Sequence, residues 1–399
     1  MSGMNRMLMC ADRPVMEFEY SRNGGYALRA GTIYDAARIP VGMWLDRKPE
    51  PDGPSITRWW RGRGVPATRD GLGTVLAMSG IATTDELLDR CLGLSLSDQY
   101  WVRPLDRDDL QWSTINFFHN RFDEQLGRSL FQGGSSRIAD INTPDVTSAG
   151  DLPKRWIIQP DGTRSLIKAG RTGQEPDNEC IASQVASLLG IKHIEYRIDH
   201  IQGRRVSVCD EMLTDDEEII PGGQIMNLFR DGPRIEGKAI WLDACEQLGM
   251  DRHVEETAVD DFIFLDFLLR NTDRHYNNFG LIRNVNTLAV RPVPIFDSGD
   301  SLWNGMDPDL MDNSDYRTKP FWIDDWGDKN NAIWQFRLIN EWDRWNLDLL
   351  NEVPGIIRDQ FSTNRRIAPA ITDTITSLMT ERIALVQEIR SHHQRITLT

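Results

Sequence analysis

Residues 262–270 (FIFLDFLLR), preceded by Asp260 and Asp261, are apolar nearly all round and carry one internal charge, Asp266. At helical pitch such a segment has no face to offer water, so it belongs inside a core. It is far too short for the ~20 residues a membrane span needs. The chain then turns polar at once, through Asn271-Thr272-Asp273-Arg274-His275-Tyr276-Asn277-Asn278-Phe279-Gly280. Leu281-Ile282-Arg283, a polar turn at 284–287 and a run ending Ile295-Phe296-Asp297-Ser298-Gly299 follow. The order is buried helix, polar loop, β-hairpin, Asp-Ser-Gly. Asp273 and Asn278 sit on a loop rooted in the core, and a hairpin brings Asp297 back.

Phosphoryl transfer needs this oxygen set. One carboxylate accepts or orients the nucleophile's proton, and an Asn and an Asp hold magnesium on the phosphates. Asp273 and Asn278 are five residues apart, the interval of the protein-kinase catalytic loop HRDxxxxN. Asp297-Ser298-Gly299 stands where a kinase has Asp-Phe-Gly. Asn and Asp are also common turn residues, so the joint order carries the inference. Upstream, Lys168 ends a strand-like Ser-Leu-Ile-Lys, as the phosphate-pairing lysine does in Val-Ala-Ile-Lys. Eleven residues later Glu179 opens an amphipathic helix, where a kinase needs a Glu to hold that lysine. Thr147-Ser148-Ala149-Gly150 precedes the strands and offers backbone N–H groups to phosphates.

Composition narrows the partners. The 399 residues carry Lys+Arg 45 against Asp+Glu 60, a net charge of −15. That excludes a broad basic face for nucleic acid and leaves room for a local basic pocket around a phosphorylated ligand. Five scattered cysteines without a CxxC predict reduced thiols in the cytoplasm, not zinc or disulfides. The N-terminus lacks a signal-peptide apolar region. The expectation is a soluble protein with no membrane association.

By texture the chain divides into three parts. Residues 1–135, rich in Trp and Arg, form an N-terminal α/β region. In it Trp59-Trp60-Arg61-Gly62-Arg63-Gly64 reads as a basic turn, 84–95 as a helix capped at Thr83 or Thr84, and 106–130 as helical. Gln132-Gly133-Gly134-Ser135-Ser136 is the linker candidate. Residues 140–215 form a small β-rich lobe. It holds a hairpin from 154–159 and 164–168 around Pro160-Asp161-Gly162-Thr163, a helix at 178–190 ending at Gly190, and strands at 194–198 and 205–209. Residues 216–399 are mostly helical and close with an amphipathic helix over 368–393, apolar at 371, 375, 378, 379, 383, 386 and 389.

With TSAGDLPK (147–154), SLIK, Asn178-Glu179, NTDRHYNNFG and IFDSG in hand, the chain resembles the HipA-like serine/threonine kinases over roughly residues 140–330. The resemblance implies an α+β, bilobal protein-kinase-like fold with a β-rich N-lobe and a helical C-lobe. It also implies an ATP- and magnesium-dependent Ser/Thr protein kinase. Asp273 would be the base, with His275 supporting the loop. Asn278 and Asp297 would bind Mg²⁺. Lys168 and Gly150-containing backbone would hold ATP phosphates, with Glu179 positioning Lys168. Cys209 and Met212, in the hinge 208–212, would face adenine. Thr147 or Ser148 would be autophosphorylated. A toxin–antitoxin setting with a helix-turn-helix antitoxin partner is implied as well. TSAGDLPK departs from the family's usual phosphate loop except at Pro153-Lys154. Residues 1–135 carry no mapped motif, and Ser95–Trp101 reads as a turn with a buried aromatic pair.

Alternative classes remain on sequence alone. Asp273-Arg274-His275 with Asn278 also matches phosphatidylinositol kinases, although no polybasic patch fits an anionic membrane. A nucleotide-binding pseudokinase is the other rival. Gly232-Pro233-Arg234-Ile235-Glu236-Gly237-Lys238-Ala239 nearly spells a P-loop, but Ala239 lacks the magnesium-binding hydroxyl and Pro233 removes a donor. Gly71-Leu72-Gly73 opens like GxGxxG without its third glycine. The acidic stretch 307–315 lacks the Gly and Glu of a calcium loop and reads as a solvated loop.

Overall fold

The computed structural model describes residues 4–21, 26–66, 69, 72–132, 142–148, 152–229, 237–321 and 331–397. The linker candidate at 133–136, Gly71, Gly150 and most of the near-P-loop (232–236) lie outside the described residues. The chain forms two compact units. The first comprises Met1–Lys168, Asp210–Ile220 and Ile282–Val290, the second Ala169–Cys209, Pro221–Leu281 and Arg291–Thr399. Each unit is therefore assembled from separated segments, a different kind of division from texture boundaries near 135 and 215.

In the first unit, strands Met4–Cys10, Arg13–Ser21 and Tyr26–Ile33 form an antiparallel meander, and Tyr100–Pro104 pairs with the free side of the first. Met16, Phe18 and Tyr20 alternate with Glu17 and Glu19, so one face is apolar. The helix Gly53–Arg63 supplies ring contacts to this core. Trp60 meets Tyr20 edge-on at 6.3 Å and Trp59 meets Tyr100 at 5.9 Å.

That helix corrects the basic turn expected at 59–64. Asp52 accepts from the Ser55 N–H at 2.7 Å, and the Ser55 hydroxyl accepts from the Asp52 N–H at 2.9 Å. This capping box, with a proline in the first turn, starts the helix early and buries both tryptophans. Arg63 turns inward to Asp98 at 2.7 Å. The stretch 106–130 is also corrected, since only Trp112–Ile115 and Gln125–Gln132 are helical there. The Asn116 side chain donates to Trp112 O and accepts from the His119 N–H, both at 2.8 Å, and so replaces helix bonds by a turn. The helix expected over 84–95 is indeed capped by Thr83 but ends at Arg90, because Leu92 and Gly93 turn the chain at φ +56 and +67. Lys154–Ile158 and Arg164–Lys168 form the expected hairpin, with Arg155 opposite Ile167 and Gly162 at φ +93 in the turn. Tyr100 and Trp101 are the buried aromatic pair.

In the second unit the helix Glu175–Leu188 starts before 178. The Glu175 carboxylate accepts the N–H groups of Arg171, Thr172 and Gly173 at 2.8–3.0 Å. Gly190 ends it at φ +70. The strands that follow are Arg197–Ile201 and Arg204–Asp210, shifted from the expected 194–198 and 205–209. Around the helix Arg252–Leu269 pack Phe264 on Trp345 at 4.2 Å and Phe267 on Phe336 at 3.9 Å. The closing helix is Pro369–Thr397, with Ile375, Met379, Ile383, Val386 and Ile389 buried at helical spacing. Lys238 of the near-P-loop is a buried structural cation, 2.6 Å from Asp260. All five cysteines are buried, and none is in a disulfide. Among the described residues no helix is long and apolar enough to cross a membrane.

Glu255, on the inner side of the helix Arg252–Leu269, makes the fold pH-sensitive. One carboxylate oxygen accepts from Trp241 Nε1 at 2.7 Å and the other has no partner. Burial pushes its pKa from 4.5 up to about 7. The folded value lies above the unfolded one, so stability from this group is full below 4.5 and is lost as pH rises through about 7. Glu255→Gln should flatten the melting temperature against pH across that window. It should also exceed wild type at pH 8 by about 1–3 kcal/mol. Parallel pH curves for the two proteins would contradict this.

Candidate active site

The helix Arg252–Leu269 is opened by Asp251, which accepts from the Val254 N–H at 3.0 Å, and is stopped by Arg270 in the left-handed region at φ +55. Every residue from Val259 to Leu269 is buried. Asp266, the lone charge in the apolar run, would be costly there without a partner. Its partner is Arg274, itself 1% exposed. Nε reaches Oδ2 at 2.8 Å and Nη2 reaches Oδ1 at 2.9 Å, a bidentate pair. Burial disfavours the guanidinium charge, but Asp266 more than restores it, and the Arg274 pKa stands above its ordinary value.

The remaining donors of Arg274 organise the site. Nη1 donates to Asn278 O at 2.9 Å and to Phe296 O, and Nη2 to the Ser298 hydroxyl at 3.1 Å. One side chain thus joins the helix, the 271–280 loop and both neighbours of Asp297. Asn271 adds to this, donating to Asp266 at 2.8 Å and accepting from the Asp273 N–H at 3.1 Å.

On that platform the predicted residues come together. Asn278 Nδ2 donates to Asp273 O at 3.0 Å, which leaves its Oδ1 as the open donor atom for a cation. The Asp273 carboxylate is 45% exposed. Its Oδ2 lies 4.0 Å from His275 Nε2. His275 Nδ1 accepts from the Asn277 N–H at 3.2 Å, which assigns the ring proton to Nε2. Asp297 holds φ +58, a conformation Asp tolerates better than most residues. Glu179, buried, accepts from the Ser298 N–H at 2.9 Å and so reaches the Asp-Ser-Gly turn directly. Asn278 and Asp297 are hard oxygen donors. Mg²⁺ is held by one or two such groups plus phosphate oxygens and water, so the pair fits that ion. Among the described residues no cluster of three or more His, Cys, Asp or Glu side chains is placed to hold a metal.

The remaining predicted residues are each placed within their own unit. Lys168 ends its strand, buried, as the last residue of the first unit's longest segment. Met212 is also in the first unit and is half-buried, while Cys209 is buried at the end of a second-unit segment. Thr147 ends a short turn, Pro144–Thr147, and donates to Leu94 O at 3.0 Å and Pro144 O at 3.1 Å. Ser148 donates to Pro144 O at 3.4 Å. Both hydroxyls are buried and would have to leave these carbonyls to accept a phosphoryl group.

Sequence reasoning assigned no role to Asp266, Arg274 or Lys319. A charge inside an otherwise apolar helix was the available signal for the first two, because it demands a buried counter-charge close in the chain. Removing one partner of such a pair costs about 3–5 kcal/mol. Arg274→Met should lower the unfolding free energy, read from denaturant titration, by that amount, whereas Asp273→Asn, at a half-exposed position, should stay within about 0.5 kcal/mol of wild type. Equal stability of all three proteins would show that Arg274 does not hold the site.

No family model matches the chain. Over 130 residues it is 24% identical to serine/threonine-protein kinase CtkA of Helicobacter pylori, a match covering 32% of this chain and 40% of that protein. The chain therefore aligns with well under two thirds of that relative. The crystal structure of the Helicobacter pylori proinflammatory kinase CtkA is 19% identical, covers 61% of this chain and 94% of its own, and gives a TM-score of 0.48. The HipA of Shewanella oneidensis MR-1, solved as a toxin–antitoxin complex with HipB and operator DNA, is 12% identical. It covers 97% of this chain and 99% of its own at a TM-score of 0.60. Across nearly its whole length, then, the chain has an α+β, HipA-like, protein-kinase-like fold.

Proposed function

We propose that this chain is an ATP- and magnesium-dependent serine/threonine protein kinase of HipA-like type. One observation carries the proposal. Arg274 ties Asn278 and the flanks of Asp297 to the loop that displays Asp273. The three side chains that phosphoryl transfer needs thereby share one platform.

In this proposal Asp273 accepts the proton of a Ser or Thr hydroxyl as its oxygen bonds to the γ-phosphorus. The bond from that phosphorus to the β,γ-bridging oxygen breaks, and ADP leaves with both electrons. His275, whose Nδ1 accepts from the Asn277 N–H, supports the loop that carries Asp273. Asn278 and Asp297 hold the metal, and bound Mg²⁺ neutralises phosphate charge. Glu179 fixes the Asp-Ser-Gly turn through Ser298 and positions Lys168. Lys168 and the backbone around Ser148 and Gly150 receive the ATP phosphates, and Cys209 and Met212 flank the adenine. Thr147 or Ser148 is the autophosphorylation site, exposed when the 144–148 turn opens. The HipA neighbour was solved with HipB and operator DNA, and we extend to this chain a helix-turn-helix antitoxin partner and a cytoplasmic setting. With a net charge of −15, direct DNA binding falls to that partner.

The test is transfer from radiolabelled ATP by purified protein, comparing wild type with Asp273→Ala and Asp297→Ala. Both variants should lose at least about 100-fold in rate while keeping their melting temperatures. Equal labelling by all three would overturn the assignment. Thermal stabilisation of wild type by MgATP without any transfer would favour a binding-only module.

A further inference from the structure

Resting on the kinase proposal above, a further residue belongs to its chemistry. Lys319 Nζ lies 2.8 Å from Asp273 Oδ1. The two side chains are 40% and 45% exposed. Lys319 stands 46 residues further along the chain than the aspartate, outside every motif in the sequence.

Its placement does not depend on the ion pair. The Lys319 carbonyl accepts from Gln335 Nε2 at 3.0 Å, and Gln335 Oε1 accepts from the Phe321 N–H at 3.0 Å. Gln335 is buried. The Phe321 ring, also buried, stacks on Phe262 at 5.8 Å and meets Phe279 at 6.0 Å. The backbone from the Lys319 carbonyl to Phe321 is therefore pinned by Gln335, and the Phe321 ring packs on the core helix and on the loop that carries Asp273.

The chemistry calls for a cation at this point. A γ-phosphoryl group approaching the hydroxyl held by Asp273 brings negative charge beside a carboxylate. Arg274, next in sequence, cannot help, because its donors are committed to Asp266, Asn278, Phe296 and Ser298. His275 is charged only when protonated. An ammonium has three donors, and Asp273 uses one of them. We infer that Lys319 is a substrate-contacting residue. With ATP bound, its ammonium bridges the Asp273 carboxylate and a γ-phosphoryl oxygen, holding base and phosphorus in register. ADP, lacking the γ-group, gains nothing from it.

The measurement is the affinity of full-length wild type, Lys319→Ala and Lys319→Arg for MgATP and for MgADP, by calorimetry. Loss of one charge-assisted contact should weaken MgATP binding to Lys319→Ala about tenfold and leave MgADP binding unchanged. Lys319→Arg should recover most of the loss. Melting temperatures should not move, since the side chain is half-exposed. Equal weakening of both nucleotides, no weakening of either, or tighter MgATP binding by Lys319→Ala would overturn the inference. The last result would mark Lys319 as an inhibitory plug. Wild-type protein that binds neither nucleotide would overturn the kinase proposal itself, and this inference with it.

Discussion

The buried pair of Asp266 and Arg274 is the constraint on which the site depends. A carboxylate inside a helix that is apolar on every side must be neutralised and hydrogen-bonded, or the helix cannot be buried there. Arg274 does both with part of its donor set and spends the rest on two carbonyls and a hydroxyl. Those three acceptors belong to the loop after the helix and to the Asp-Ser-Gly turn. The electrostatic need of the core therefore fixes the shape of the surface above it. Asn278 is tied to the Asp273 carbonyl through its side-chain amide, and Arg274 holds the Asn278 carbonyl and both neighbours of Asp297. Asp273, Asn278 and Asp297 are placed by these contacts to the backbone around them.

This design separates structural from chemical charge. Arg274 is fully committed and insulated from solvent. Asp273 and Lys319 remain half-exposed and free to exchange partners when a substrate arrives. Preorganisation of that kind suits phosphoryl transfer, where the protein's contribution is positioning and charge neutralisation rather than covalent chemistry. The acidic net charge also becomes intelligible. A polyphosphate would approach a chain of net charge −15 with an accompanying cation.

Much of the site was legible in the sequence because its signals are local. The Asp273–Asn278 interval, the Asp-Ser-Gly triplet and the apolar run all lie within forty residues, and the hairpin between them shows in the alternation. The hairpin ending at Lys168 was equally plain, since Asp161-Gly162 is turn chemistry with one outcome. The failures share a cause. Trp59-Trp60-Arg61 looked like a basic turn because the capping box that makes it a helix lies seven residues upstream. Residues 106–130 looked helical because Asn116 and its neighbours tolerate a helix until their side chains cap it. Lys319 left no trace, because contact with Asp273 depends on tertiary pinning by Gln335 and Phe321. The two-unit assembly from separated segments was invisible for the same reason: strand partners far apart in sequence leave no local pattern.

The central claim is that the platform built on Arg274 presents Asn278 and Asp297 to one metal ion and Asp273 to the phosphoryl acceptor. A crystal structure with magnesium and a non-hydrolysable ATP analogue tests it most directly. The account predicts one Mg²⁺ about 2.1 Å from Asn278 Oδ1 and from an Asp297 carboxylate oxygen. The γ-phosphate should lie against Asp273. Nucleotide bound away from these residues, or a metal held without both of them, would contradict it.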